Sequence, residues 1–176
     1  MASAAGTLEA RVPPFHDLHP GEQVMLALSI AAGEMGTRIE RVLRAHDPML
    51  THARYNALRI LRGAGEDGLS CSDIGARLLI APPEVTRLIH PLAERGYVAR
   101  FPDPDDRRVV LHRLTVAGVE LLADLDRQLA RIYDGILTGL GAEVVESLVD
   151  GCERFIELAG DIPDAVDQVA PRKPRS

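Results

Sequence analysis

Apolar residues recur at steps of three and four through most of the chain. From Glu22 to His46, Val24, Leu28, Ala31, Met35, Ile39 and Val42 form one stripe, which predicts a long amphipathic helix ended by Asp47-Pro48. Thr51 suits the cap of a second helix, with Ala53, Ala57, Leu58 and Leu61 on its apolar side and Gly63 and Gly65 at its close. Ser70-Cys71-Ser72-Asp73 fits a capping box ahead of a short helix carrying Ile74 and Leu78. The break Ile80-Ala81-Pro82-Pro83 follows. Beyond it a helix is expected over Pro83–Arg95, with Val85, Leu88, Ile89 and Leu92 facing inward.

The pattern changes at Tyr97. Tyr97 and Val98 lead into Pro102-Asp103-Pro104-Asp105-Asp106, then Arg107-Arg108, then Val109-Val110-Leu111-His112-Arg113-Leu114. Turn-forming residues between two β-prone runs predict a long hairpin with charges at its tip. Thr115 opens another helix to about Ile136, striped by Val119, Leu122, Leu125, Leu129 and Ile132. After Gly139 and Gly141 a last helix carries Val144, Val145, Leu148, Cys152, Phe155 and Ile156.

The expected fold is therefore mostly α with a small β-hairpin wing (α+β): a winged helix-turn-helix flanked by long dimerisation helices. Its expected parts are a flexible arm over 1–20, a dimerisation helix over 21–50, the winged helix over 51–115, dimerisation helices over 116–160 and a loose tail over 161–176. The flanking helices hold more apolar stripe than the middle can cover. A second copy related by two-fold symmetry is the economical way to bury the remainder.

The helix at Pro83–Arg95 turns Pro83, Arg87, His90 and Glu94 away from its apolar side, with Thr86 at the edge. Arginine suits guanine O6 and N7, and threonine suits phosphate or a thymine methyl. On the hairpin, an arginine held at the tip suits the narrow minor groove, where negative potential concentrates. Asp106 and Arg108 lie two apart and so share one side of an extended segment, which favours a bidentate pair orienting the guanidinium. Arg107 then points the other way, toward phosphate.

Composition changes this picture little. The chain carries a net charge of −6, against the usual basic character of nucleic-acid modules. The middle, Thr51–Thr115, carries +2, while the first 50 residues carry −2 and residues 116–176 carry −6. Screening over ~10 Å makes the local balance the relevant one. Aromatic content of 3% without tryptophan argues against a single-strand stacking surface. No apolar run approaches membrane-spanning length, and no secretory signal opens the chain, so a cytoplasmic location without membrane contact is expected. Catalytic motifs such as GxSxG, a P-loop or HExxH are absent, so no enzymatic role and no cofactor is expected.

Thr51 to about Leu122 resembles the MarR family of dimeric winged-helix transcription regulators. The resemblance is carried by Val85-Thr86-Arg87-Leu88, Leu92, Arg95-Gly96-Tyr97-Val98, Arg100, Asp103-Pro104-Asp105-Asp106-Arg107-Arg108 and Leu114-Thr115-Val116-Ala117-Gly118. It implies a homodimer on a pseudo-palindromic double-stranded operator, with a recognition helix in the major groove and a wing in the minor groove. Thr86, Arg87, His90, Arg100, Arg107 and Arg108 become the expected DNA contacts, with Asp106 orienting Arg108. Family members usually repress and are commonly released by a small molecule or an oxidant. Two departures stand out. Ala81 occupies the position where a capping serine often starts the recognition helix, and Pro91 predicts a kink within it.

The resemblance places a ligand cleft near the first helix, the helix with Arg54, Tyr55 and Arg59, and the helix after Thr115. Those three residues are candidates for an anionic or aromatic ligand, or else plain surface and packing residues. His16, His19, His46, His52, His90 and His112 show no metal-ligand spacing. Cys152 sits on an apolar stripe and is expected to be buried, whereas Cys71 beside a helix start offers a redox-responsive alternative. A winged-helix protein-interaction module without DNA binding is the other alternative.

Overall fold

The computed structural model describes residues 17–161. Its elements run α1 (Pro20–His46), α2 (His52–Ala64), β1 (Leu69–Ser70), α3 (Cys71–Leu78), α4 (Pro82–Glu94), β2 (Val98–Pro102), β3 (Val110–Leu114), α5 (Val116–Leu140) and α6 (Ala142–Asp161). Residues 1–16 of the expected arm, including His16, and residues 162–176 of the expected tail lie outside the described residues. No helix among the described residues is long and apolar enough to cross a membrane.

Local chemistry explains where the helices begin. α1 starts at Pro20, ahead of the expected Glu22, because His19 caps it: Gly21 N–H donates to His19 Nδ1 at 3.1 Å, and Glu22 accepts from His19 N–H at 3.1 Å. Thr51 accepts from Arg54 N–H at 3.3 Å to cap α2, and Glu40 accepts from His52 N–H at 2.6 Å. The Ser70–Asp73 capping box forms as expected at α3. α4 runs unbroken from Pro82 through Pro91 to Glu94. α5 passes the expected stop near Ile136 and Gly139, ending where Gly141 adopts φ +81° and donates to Leu137 O at 2.9 Å.

The sheet has the order β1-β3-β2, all antiparallel. β2 and β3 form the expected hairpin, with Val98 opposite Leu114 and Pro102 opposite Val110. β1 is an addition to that expectation: Leu69 lies opposite His112 and Ser70 opposite Leu111. The approach needs Gly68 at φ +70°, since a Cβ there would stand 2.8 Å from the His112 carbonyl.

Leu43, Leu50, Tyr55, Leu58, Leu61, Ile74, Val85, Ile89, Leu92, Leu122 and Leu125 are buried and hold α1–α5 around one core. Burial of such side chains contributes about 1.5–3 kcal/mol each. A second joint closes the wing onto α5. Thr115 Oγ1 donates to Gly96 O at 2.6 Å and accepts from Gly118 N–H at 3.1 Å, while Thr115 N–H donates to Tyr97 O at 3.0 Å. This explains the Leu-Thr-x-x-Gly signature: a Cβ on Gly118 would lie 2.2 Å from Tyr97 O.

The chain divides into two compact units, one through Leu129 and one from Ala130. Within the second, the end of α5 and α6 show Leu137, Leu140, Val144, Leu148, Val149, Ile156 and Leu158 exposed. Cys152, expected to be buried, is only half-buried in this single chain.

Candidate nucleic-acid interface

α4 is seated by Val85, Ile89 and Leu92, all fully buried. The same periodicity leaves Thr86, Arg87 and His90 exposed, as the sequence predicts. Thr86 Oγ1 donates to Pro82 O at 3.2 Å and lies 3.9 Å from the half-buried Cys71 Sγ. His90 Nε2 is 3.4 Å from Glu94 Oε1. At the start of α4, Ala81 offers no side-chain cap, but the Glu84 carboxylate accepts from Ala81 N–H at 3.2 Å. Glu84 is exposed at this tip and was not among the expected contacts. Its only sequence signal is half a capping box, a glutamate three residues after a non-capping alanine.

The C-terminal end of α4 is tied to α1. Arg95 Nη1 donates to Asp47 Oδ2 at 2.8 Å, and Asp47 Oδ1 accepts from Met49 N–H at 2.9 Å. Asp47 therefore shapes the α1–α2 turn and holds the end of α4 with the same carboxylate.

The wing tip is built from two aspartate-stabilised turns. Asp103 Oδ1 accepts from Asp105 N–H at 2.8 Å and Asp106 N–H at 3.3 Å. Asp106 Oδ1 accepts from Arg108 N–H at 3.0 Å, and Val109 N–H donates to Asp106 O at 2.8 Å. Arg108 then completes the fork: its Nε meets Asp106 Oδ1 and its Nη2 meets Oδ2, both at 3.0 Å. The pair forms as the sequence predicts, but for a different reason. Asp106–Val109 is a turn, and the aspartate binding the main chain two residues on brings the side chains together, with no strand alternation involved.

The Arg108 side chains' hydrogen bonds, followed by its N–H, hold the Asp106 carboxyl below the usual carboxylate range, and Asp106 in turn raises Arg108. Arg108 is 91% exposed, so an oriented, permanently charged fork projects into solvent. Arg107 is exposed beside it. Arg100 is exposed at the base of the wing, opposite His112.

Residues 50–110 match the MarR family. An uncharacterised HTH-type transcriptional regulator of Bacillus subtilis, YhbI, is 30% identical over 110 residues, covering 62% of this chain and 69% of the relative. The chain belongs to the MarR family. Across curated relatives the matched stretch covers between 59% and 88% of the relative's length. An Escherichia coli MarR mutant complexed with operator DNA shares the fold at TM-score 0.67 and 21% identity, over 82% of this chain and 99% of that one. CouR from Rhodococcus jostii RHA1, bound to p-coumaroyl-CoA, does so at TM-score 0.68 and 23% identity, over 82% and 95%. This MarR-family protein is thus a transcription regulator and not an enzyme.

The three residues considered for a ligand cleft divide. Tyr55 is buried, and its hydroxyl donates to Asp126 Oδ1 at 2.9 Å. Burial opposes ionisation of Asp126, but hydrogen bonds from Arg62 and Tyr55 outweigh it and lower the carboxyl. Arg54 donates to Met49 O, while Arg59 is exposed with its guanidinium 5.6 Å from the Tyr55 ring centre. Among the described residues no three His, Cys, Asp or Glu side chains gather as a metal site.

Proposed function

We propose that this MarR-family regulator is a homodimeric, sequence-specific reader of double-stranded DNA, acting in the cytoplasm as a repressor released by a small ligand. The observation that carries the DNA reading is the Asp106–Arg108 fork, aimed outward from a wing that directly follows a helix with Arg87 exposed. Thr86, Arg87 and His90 enter the major groove, Arg108 enters the minor groove oriented by Asp106, and Arg107 and Arg100 meet the backbone.

Exposed apolar residues support the dimer. Val24 and Met25 on α1 are about half exposed, as are Leu137, Leu140, Val144, Leu148 and Val149 on α5 and α6. Such a content of exposed apolar side chains on flanking helices fits burial against a second copy. A pseudo-palindromic operator then follows from two-fold symmetry. The ligand reading leans on the CouR likeness, and Arg59 is the exposed cation of the candidate cleft. An anionic, aromatic molecule is the class it suits.

The test combines selection of bound duplexes from a random library with fluorescence anisotropy at two salt concentrations. Salt-sensitive binding to a palindromic site, weakened by Arg108→Ala, supports the reading. Binding indifferent to Arg108 removes the wing as a reader, and a monomer by analytical ultracentrifugation removes the dimer.

A further inference from the structure

The start of α4 has no main-chain donor to offer a phosphate. Pro82 and Pro83 carry no N–H. The N–H groups of Glu84 and Val85 donate to Ala81 O at 2.9 and 3.2 Å, and the Ala81 N–H donates to the Glu84 carboxylate. A helix start ordinarily attracts phosphate through free N–H groups and its positive dipole end. Here those donors are missing or taken, and a carboxylate stands on the tip.

Thr86, in the next turn, repeats the polarity. Its hydroxyl donates to Pro82 O at 3.2 Å, which leaves the oxygen as an acceptor, with the Cys71 thiol 3.9 Å away. A carboxylate has about four lone-pair sites, and Ala81 takes one of those on Glu84. The exposed leading part of α4 therefore presents acceptors at Glu84 and Thr86, and a donor fork only at Arg87.

In the major groove an acceptor pairs with the N4 amino group of cytosine or the N6 amino group of adenine. Guanine O6 and N7 and thymine O4 are themselves acceptors and oppose a carboxylate. We propose that Glu84 is a specificity-determining residue of this regulator, accepting a hydrogen bond from an amino-bearing base in each half-site and keeping the tip of α4 off the phosphate backbone. This rests on the DNA reading of α4 given above. The same charge that selects the base lowers affinity for every duplex, so Glu84 exchanges affinity for discrimination.

The experiment selects duplexes from a randomised library with the wild type, Glu84→Gln and Glu84→Ala, then measures each protein on the selected site and its single-base variants by anisotropy. Glutamine keeps an acceptor for Ala81 N–H, so the helix start is retained while the charge is lost. Thermal melts of all three proteins establish that they are folded. The wild type is expected to enrich cytosine or adenine at one position per half-site, with about tenfold discrimination there. Glu84→Ala is expected to reduce that to under about threefold and to bind a random duplex several-fold more tightly at low salt. Glu84→Gln is expected to shift the preference to adenine, which glutamine reads in a bidentate way. A Glu84→Ala protein that enriches the same bases with unchanged discrimination overturns the proposal while leaving the DNA reading intact. A wild type that enriches no duplex overturns both.

Discussion

Asp106 grips Arg108 three times: through the main-chain N–H, through Nε and through Nη2, each at 3.0 Å. A side chain that is 91% exposed is thus held in one orientation by a single neighbouring carboxylate. Arg108→Ala is expected to weaken operator binding about tenfold to a hundredfold, the loss typical of a hydrogen bond to a charged group. Asp106→Asn keeps the turn but frees the fork, and its loss should be smaller. Anisotropy titrations of both variants check the order. Equal losses would mean that Asp106 contributes more than orientation.

Gly118 has no room for a methyl group. The carbonyl of Tyr97 stands 2.2 Å from where a Cβ would be, and that carbonyl is main chain at the joint between wing and α5. Gly118→Ala is expected to cost about 3 kcal/mol or to prevent folding. Chemical denaturation, or loss of soluble protein where folding fails, measures it. An unchanged midpoint would show that the joint yields readily.

Leu79 sits in the turn between α3 and α4 at φ 55°, with 83% of its surface exposed. A left-handed conformation costs a leucine about 1–2 kcal/mol. Leu79→Gly removes that strain but loosens the unfolded chain, leaving an expected gain of about 0.5–1 kcal/mol in denaturation experiments. A loss would mean that the exposed leucine packs in the assembled protein.

His112 is buried under β1, its Nδ1 3.3 Å from Leu69 O, with Arg100 across the hairpin. Burial, which the Leu69 carbonyl partly opposes and the Arg100 charge reinforces, lowers its pKa from 6.5. The fold therefore prefers the neutral ring. The stability it contributes is full above about 6.5 and declines as pH falls from there toward the folded pKa. Thermal melts at about pH 7.5 and 5.5 should show the decline, and His112→Asn should flatten it. A variant that declines as steeply as the wild type would assign the effect elsewhere.

The helices were legible because their signals are local. Val85, Leu88, Ile89 and Leu92 lie on one face whatever else the chain does, and Ser70 meets Asp73 three residues away. The same was true of the wing, where Asp106 and Arg108 are neighbours in sequence. Even there the geometry came from an aspartate turn, which alternation along an extended segment does not describe. Two-residue β1 was not legible: it is too short to show a period, and Leu69 finds its partner His112 only through the fold.

By itself, the sequence determined the order of the helices, the hairpin with its charged tip, the outward face of α4 and the family pattern. These depend on periodicity, caps and turns, which act over a few residues. Tertiary structure alone decided that Tyr55 is buried against Asp126, that Asp47 holds Arg95, and that His112 lies under β1. These three contacts join residues 71, 48 and 43 positions apart. Contacts over such separations form only once the chain is folded, whereas the bonds of Glu84 and Thr86 reach back three and four residues and act within one helical turn.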